Sequence, residues 1–375
     1  MEKNIIEEFE SDKGPHTPHP RKTKKLVGHK LVKETFLDSY RSGKMHHAWL
    51  IHGPKGVGKA TIAWQIAKFL LENQGPSDHK NKGLVSQRIE ALSEPSIFLC
   101  RKQFDKSKKR FFQDISIDEV RKINHFFSLT NIASPWRVVI IDPIDDLSNS
   151  AANALLKVLE EPPKGGVFFL ICNNKEKIVP TITSRCRLLG CSFLKQPEFE
   201  EVLSGLRHFD NEKDNLISLF SLTNGSISKA MDFIFNNGFA LFKRILEVIN
   251  FNNEMDRKEI WYLLDQNNHL GTQKEYHTFI KELILLALSR ISKALVEKDI
   301  GKQMAEEKEI VELYNKYSEP YFPFAWLHSS LINDFQKAEK INLDPVTTIL
   351  KAFLKIEKIL LKFKVSNKKK LEPKP

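Results

Sequence analysis

The chain has 375 residues, with 58 Lys and Arg against 47 Asp and Glu and a net charge of +11. That length predicts two or three domains rather than one core, and the basic balance fits a nucleic-acid partner without requiring one, because Lys-rich coding from an AT-biased genome gives the same total. Cys100, Cys172, Cys186 and Cys191 include no CxxC pair, which suits neither a zinc site nor a disulfide framework, and no apolar run approaches the ~20 residues of a spanning helix, so the expectation is a cytoplasmic protein with no membrane role.

Residues 1–25 are polar and proline-bearing, end in His19-Pro20-Arg21-Lys22-Thr23-Lys24-Lys25, lack the apolar segment of a signal peptide, and read as a flexible N-terminal arm. From Leu26 onward short β-rich runs alternate with helical periods. Trp49-Leu50-Ile51 precedes a helix from Gly58, Trp136 to Ile141 precedes a helix from Ser148 to Glu161, and Val167 to Ile171 precedes a turn. Strand and helix in alternation predict a parallel sheet with helices on both faces. Ser116-Ile117-Asp118-Glu119 has capping-box spacing and opens a helix bearing Val120, Ile123, Phe126 and Phe127. Residues 72–113 read as a long insertion with one strand at Ser96 to Cys100 and a basic cluster, Lys106 to Arg110.

Beyond about residue 195 helical periods dominate. Glu275 to Val296 sets Phe279, Leu283, Leu286 and Ile291 near one face, and Asp344-Pro345 starts a helix carrying Ile349, Phe353, Ile356 and Leu360. That last face serves either the domain's own core or a ring of helical collars. The tail from Ser366, with Lys368, Lys369, Lys370 and Lys374, reads as a disordered basic end.

Gly53-Pro54-Lys55-Gly56-Val57-Gly58-Lys59-Ala60 lies between a strand and a helix, the context of a phosphate-binding loop. Gly53, Gly56 and Gly58 let main-chain amides approach phosphate, and Lys59 reaches the outer phosphates. The hydroxyl that should ligate Mg²⁺ is replaced by Ala60, and Thr61, about 100° further round the helix, points elsewhere. A second acidic element ends the strand Val138-Val139-Ile140-Ile141 at Asp142, as expected of a carboxylate that steadies a Mg²⁺ shell, but Pro143 stands where a water-polarising Glu belongs. Asp145 and Asp146 follow closely enough to act in its place or to be plain turn carboxylates.

Asn153-Ala154-Leu155-Leu156-Lys157-Val158-Leu159-Glu160-Glu161-Pro162-Pro163, then a strand, then Pro180-Thr181-Ile182-Thr183-Ser184-Arg185-Cys186, all after a phosphate loop, resemble the AAA+ clamp-loader family. The resemblance covers residues 26–190 closely and the helical remainder by type. It implies a RecA-like α/β P-loop NTPase domain over 26–190, a helical lid over 191–240, an all-α C-terminal collar over 241–365 and a basic tail over 366–375. It also implies that Arg185 is an arginine finger presented to ATP on a neighbour, that Asn173 matches a γ-phosphate sensor, and that Ser228 stands where a second sensor arginine belongs. The family's four-cysteine zinc module would be absent, or rebuilt without metal, since only Cys100 falls in its place.

Within the family, such a chain resembles a finger-donating subunit with a degenerate site, weakly binding ATP or ADP, rather than a gamma-type motor or a delta-type subunit. Its implied partners are gamma/tau and delta subunits, a sliding clamp and primer–template DNA. Two other readings stand: a working P-loop ATPase using Asp145 or Asp146, and a scaffold whose finger is vestigial. Glu160 and Glu161 end a helix where the dipole disfavours negative charge, so each needs a cation from this chain or from a neighbour. His46 and His47 precede the first strand and read as packing groups near the nucleotide pocket.

Overall fold

Alternate residues along a strand point to opposite faces, and in this chain both sets are apolar, so the sheet must be covered on both sides. The computed structural model describes residues 10–14, 16–73, 82–108, 110–129, 134–206, 216–251, 254–264, 273–297 and 303–371. In chain order its first elements are α1 (Lys30–Arg41), β1 (Ala48–His52), α2 (Lys59–Glu72), α3 (Lys82–Glu90), β2 (Ile97–Cys100), β3 (Phe104–Asp105), β4 (Arg110–Phe111), α4 (Ile117–Ser128), β5 (Arg137–Ile141), α5 (Asn149–Glu160), β6 (Gly166–Cys172), α6 (Pro180–Thr183), β7 (Arg187–Gly190) and α7 (Gln196–Ser204). Five strands form one parallel sheet in the order β2-β5-β6-β1-β7. A small antiparallel pair, β3 with β4, stands apart.

Trp49, Ile51, Val138, Ile140, Phe169 and Ile171 point into one core, where they meet Phe36 of α1 and Ile62, Ala63 and Leu70 of α2. The intervening Ala48, Leu50, Val139, Ile141, Phe168 and Leu170 point into a second core, against Val120 and Ile123 of α4 and Leu155 and Leu159 of α5. Every residue of β6 is buried. Burying a large apolar side chain contributes roughly 1.5–3 kcal/mol, so a run this apolar is favourable only at the centre of a covered sheet. The capping residues fall where the sequence places them: Ser116 Oγ accepts from Glu119 N at 3.4 Å and Ser148 Oγ from Ala151 N at 3.2 Å.

The chain divides into two compact units, Met1–Asp210 with Thr223–Lys229, and Asn211–Leu222 with Ala230–Pro375. No boundary between units falls at 190 or 240, since α7 lies with the first unit. The remaining helices are α8 (Leu216–Thr223), α9 (Ile227–Phe235), α10 (Gly238–Ile249), α11 (Arg257–Leu264), α12 (Gln273–Ala294), α13 (Ala305–Tyr314), α14 (Phe322–Lys340) and α15 (Pro345–Leu371). Ile349, Phe353, Ile356 and Leu360 of α15 are all buried within the single chain, so that face serves this unit's own core. Arg290 of α12 is also buried, and its guanidinium donates to both oxygens of buried Glu307 at 2.6 and 3.0 Å.

Three expectations change. Residues 10–14 and 16–23 are not a free arm: Asp12 and His19 are buried, and Pro20–Lys22 form a short 3-10 turn. The tail does not leave the fold at Ser366, because α15 continues to Leu371, as Lys-rich sequence readily does; residues 372–375 lie outside the described residues. The 72–113 segment contains α3 and the β3–β4 pair in addition to the strand β2, while 74–81 lie outside the described residues.

Candidate functional site: the phosphate loop and Arg185

Parallel strands deliver their following residues to one edge of the sheet, and ligands of such sheets bind in crevices at the strands' carboxyl ends. β5, β6 and β1 are neighbours, with Ile141 opposite Leu170 and His52 opposite Cys172. Asp142, Asn173 and the loop from Gly53 therefore emerge side by side. They come from distant sequence.

The loop keeps its backbone. Gly53 has φ 147°, and a Cβ there would stand 2.1 Å from the Cys191 carbonyl oxygen; Gly56 and Gly58 have φ 80° and 101°. Only glycine adopts such angles without strain. Lys59 is buried, and its Nζ donates to Gly53 O at 2.8 Å and Pro54 O at 2.5 Å. Burial lowers its pKa, opposed by Cys191, Asp142 and Asp145. His29, which sequence reasoning did not single out, braces the loop through Nε2 on Val57 O at 2.7 Å.

The acidic side of the site differs from that of a working NTPase. Asp142 is buried, and its pKa is raised well above the usual carboxylate range by burial first and by Asp12 and Asp146 after it, against Lys59 and Arg101. Asp145 accepts the main-chain amides of Asn173 at 2.6 Å and Asn174 at 2.9 Å, one on each oxygen. Asp146 pairs with Lys102 at 2.7 Å. Ala60 offers no oxygen to a Mg²⁺ shell, and the two carboxylates nearest after Pro143 are engaged, Asp145 by main-chain amides and Asp146 by Lys102.

The segment at Ser228 also meets the loop. Ile227 N and Ser228 N donate to Gly56 O at 3.0 and 3.4 Å, and Ser226 Oγ donates to Lys55 O at 3.0 Å. Ser228 therefore packs on the loop.

Arg185 follows α6, with its side chain one-third exposed. Its Nη2 donates to Glu160 Oε1 at 2.6 Å, and its Nη1 donates to Thr181 O at 2.8 Å and to Ser184 Oγ at 3.4 Å. The cation that Glu160 needs at the end of α5 is thus Arg185 of the same chain. This clamp holds a planar five-donor group partly exposed at the protein surface. His47 does not border the loop: it precedes β1, at the opposite end of that strand, and its Nε2 lies 3.0 Å from Leu159 O. Burial and the neighbouring His46 lower its pKa. It is a packing residue.

Comparison with known proteins bears on the order of these motifs. A family model described as DNA polymerase III, delta subunit, matches residues 28–194. Over that stretch the chain is similar to the clamp-loader subunits of bacterial DNA polymerase III. The chain is 34% identical to DNA polymerase III subunit gamma of Buchnera aphidicola subsp. Schizaphis graminum over 57% of its own length and 58% of that protein. It is 27% identical to subunit delta' of Escherichia coli, and 23% identical to subunit delta' of Bacillus subtilis, in both cases over 68% of this chain and 74% of the relative. The chain thus spans little more than half of the Buchnera subunit.

Gly53, Gly56, Gly58, Lys59, Asp142 and Asn173 stand together at the edge of the module, while Arg185 stands on the surface in the grip of Glu160. Sequence reasoning missed Glu10, Asp12 and Arg101, which also reach this edge. No motif marks them, and only their charge in an otherwise plain polar lead could have drawn notice.

Proposed function

We propose that the chain is a delta-prime-type clamp-loader subunit of the cytoplasm. It helps a ring of gamma/tau and delta subunits load a sliding clamp onto primer–template DNA, supplies Arg185 in trans to a neighbour's ATP, and does not hydrolyse ATP itself. The observation that carries this reading is the engagement of Asp145 by two main-chain amides. Asp145 and Asp146 are the nearby replacements for the carboxylate missing at Pro143, and the commitment of both Asp145 oxygens to main-chain amides and of Asp146 to Lys102 favours structural roles for the two over orienting a water. With the site's own chemistry disabled and the finger intact, the useful chemistry of the module lies on its outer face.

The mechanism asks little of the chain's own atoms. Phosphoryl transfer is accelerated chiefly by positioning and by neutralising charge on the transferred group. Arg185 does the second for a nucleotide held elsewhere, its guanidinium exchanging Glu160 for γ-phosphate oxygens. In the chain's own loop, Gly53, Gly56, Gly58 and Lys59 can still meet phosphate, so ATP or ADP binds weakly and with little Mg²⁺ dependence.

Purified protein should therefore release phosphate from ATP no faster than a buffer blank. A coupled-enzyme assay with and without Mg²⁺ checks this; Mg²⁺-dependent turnover that vanishes in Lys59→Ala would establish the ATPase reading instead.

A further inference from the structure

The N-terminal segment crosses the same edge of the sheet as the phosphate loop. Ser11 Oγ donates to Lys102 O at 3.0 Å, just past the end of β2, and Lys102 in turn holds Asp146 beyond β5. Three residues beyond Ser11, a Cβ on Gly14 would stand 3.8 Å from Ser228 Oγ, and a Cβ on Gly56 of the loop would stand 2.5 Å from Ser228 Cβ. Glu10 to Gly14 thus run from the acidic strand's end toward the loop itself.

The charges along this strap are paired with the site's cations. Asp12, its side chain fully buried, bonds Arg101 and accepts from His19 Nε2 at 3.0 Å. Glu10, also buried, accepts from Arg21 Nη1 at 2.8 Å and lies 3.3 Å from Arg101. Burial acts to raise the pKa of Asp12, but His19 and Arg101 outweigh it and hold the carboxyl below its usual range. Asp12 is thus held toward its charged form, while burial pushes the neighbouring Asp142 the other way. The segment is fixed at its far end as well, where Arg21 Nε donates to Glu90 O at 2.9 Å and Thr23 O accepts from Gln65 at 2.5 Å.

A nucleoside triphosphate brings several negative charges to this edge. It would meet the Asp12 and Glu10 carboxylates, and Arg101, a nearby cation that could answer it, is already matched to them. Like charges at low dielectric repel strongly, and displacing the strap would leave Arg101 without the carboxylates of Asp12 and Glu10.

We propose that the strap is the site's resident anion, and that Asp12 with Glu10 determines its specificity by competing with nucleotide phosphates for this edge. The proposal rests on reading Gly53 to Lys59 as a phosphate loop and explains why that loop binds nucleotide weakly. Removing the strap's charge should strengthen binding without restoring hydrolysis.

The test is calorimetric titration of the full chain with ATP and with ADP, comparing wild type, Asp12→Asn, the pair Glu10→Gln with Asp12→Asn, and that pair combined with Lys59→Ala. The double variant should bind at least about tenfold more tightly than wild type, a shift of roughly 1.4 kcal/mol, and Lys59→Ala should remove the gain. Unchanged affinity, or a gain that survives Lys59→Ala, overturns the proposal. Amide hydrogen exchange on the wild-type chain gives a second readout that needs no variant. Saturating ATP should raise exchange across residues 10–23 if the nucleotide must displace the strap, and unchanged exchange at saturation overturns it. Turnover of ATP by wild type would defeat the non-hydrolysing function proposed above while leaving both comparisons intact.

Discussion

Arg185→Ala is expected to leave the fold and its assembly with other subunits intact while lowering hydrolysis at the neighbouring site by roughly 10³–10⁵, which corresponds to about 4–7 kcal/mol of transition-state stabilisation. The side chain is partly exposed and its ion pair with Glu160 lies at the surface, where such pairs contribute about 0.2–1 kcal/mol to stability. The expected catalytic loss therefore exceeds the expected structural loss several-fold, and the two are separable. Because several sites turn over in one ring, total ATPase should fall by less than the single-site factor. Arg185→Lys should restore little, because an ammonium cannot reproduce the planar fork of donors. Single-turnover hydrolysis in reconstituted rings, normalised to assembled complex, is the measurement, with circular dichroism as the control for folding. A loss of stability with unaltered hydrolysis per ring would assign Arg185 to the Glu160 pair alone.

The largest expected effect on stability lies in the second unit. Glu307 bonds Arg290 through both oxygens, both side chains are buried, and Glu307 Oε2 also accepts from Met304 N at 2.8 Å at the start of α13. Glu307→Ala leaves the guanidinium without its counter-charge and removes an N-terminal cap. Breaking a buried pair from one side costs roughly 3–5 kcal/mol. At about 2–4 °C per kcal/mol for a unit of this size, the melting temperature of that unit should fall by roughly 6–20 °C in differential scanning calorimetry. Replacing both partners by apolar residues, Arg290→Met with Glu307→Leu, should recover much of the loss, because the desolvation of two charges is then avoided. A double variant no better than Glu307→Ala would mean that the bond to Met304 and the packing of α13 matter more than the charge.

The strands β1, β5 and β6 were legible because a strand buried on both faces is a continuous apolar run, and the phosphate loop because its glycines have a mechanical reason. β7 was not: in Arg187–Gly190 only Leu189 is buried, so an edge strand of this length carries no alternation to detect. Burial of Ile349, Phe353, Ile356 and Leu360 was legible as a face but not as a destination, since a helical period is the same against the chain's own core and against a partner. The strap was invisible for a different reason. Its order arises from ion pairs and bonds between residues as far apart as Ser11 and Lys102, and a polar segment rich in Pro and charge looks identical whether it finds those partners or not. Arg185 was placed by its motif, and its pair with Glu160 was legible as the structural alternative, Arg185 with Glu160 or Glu161, because carboxylates at the end of α5 need a cation.

The central claim has two halves, an idle site on this chain and a working finger offered to another. Clamp loading per assembled ring, measured side by side for Lys59→Ala and Arg185→Ala, tests both at once. Rings carrying Lys59→Ala should load clamps at the wild-type rate, and rings carrying Arg185→Ala should be clearly impaired. Impairment by Lys59→Ala with normal loading by Arg185→Ala would contradict the claim, since the chain would then be using its own nucleotide rather than serving a neighbour's.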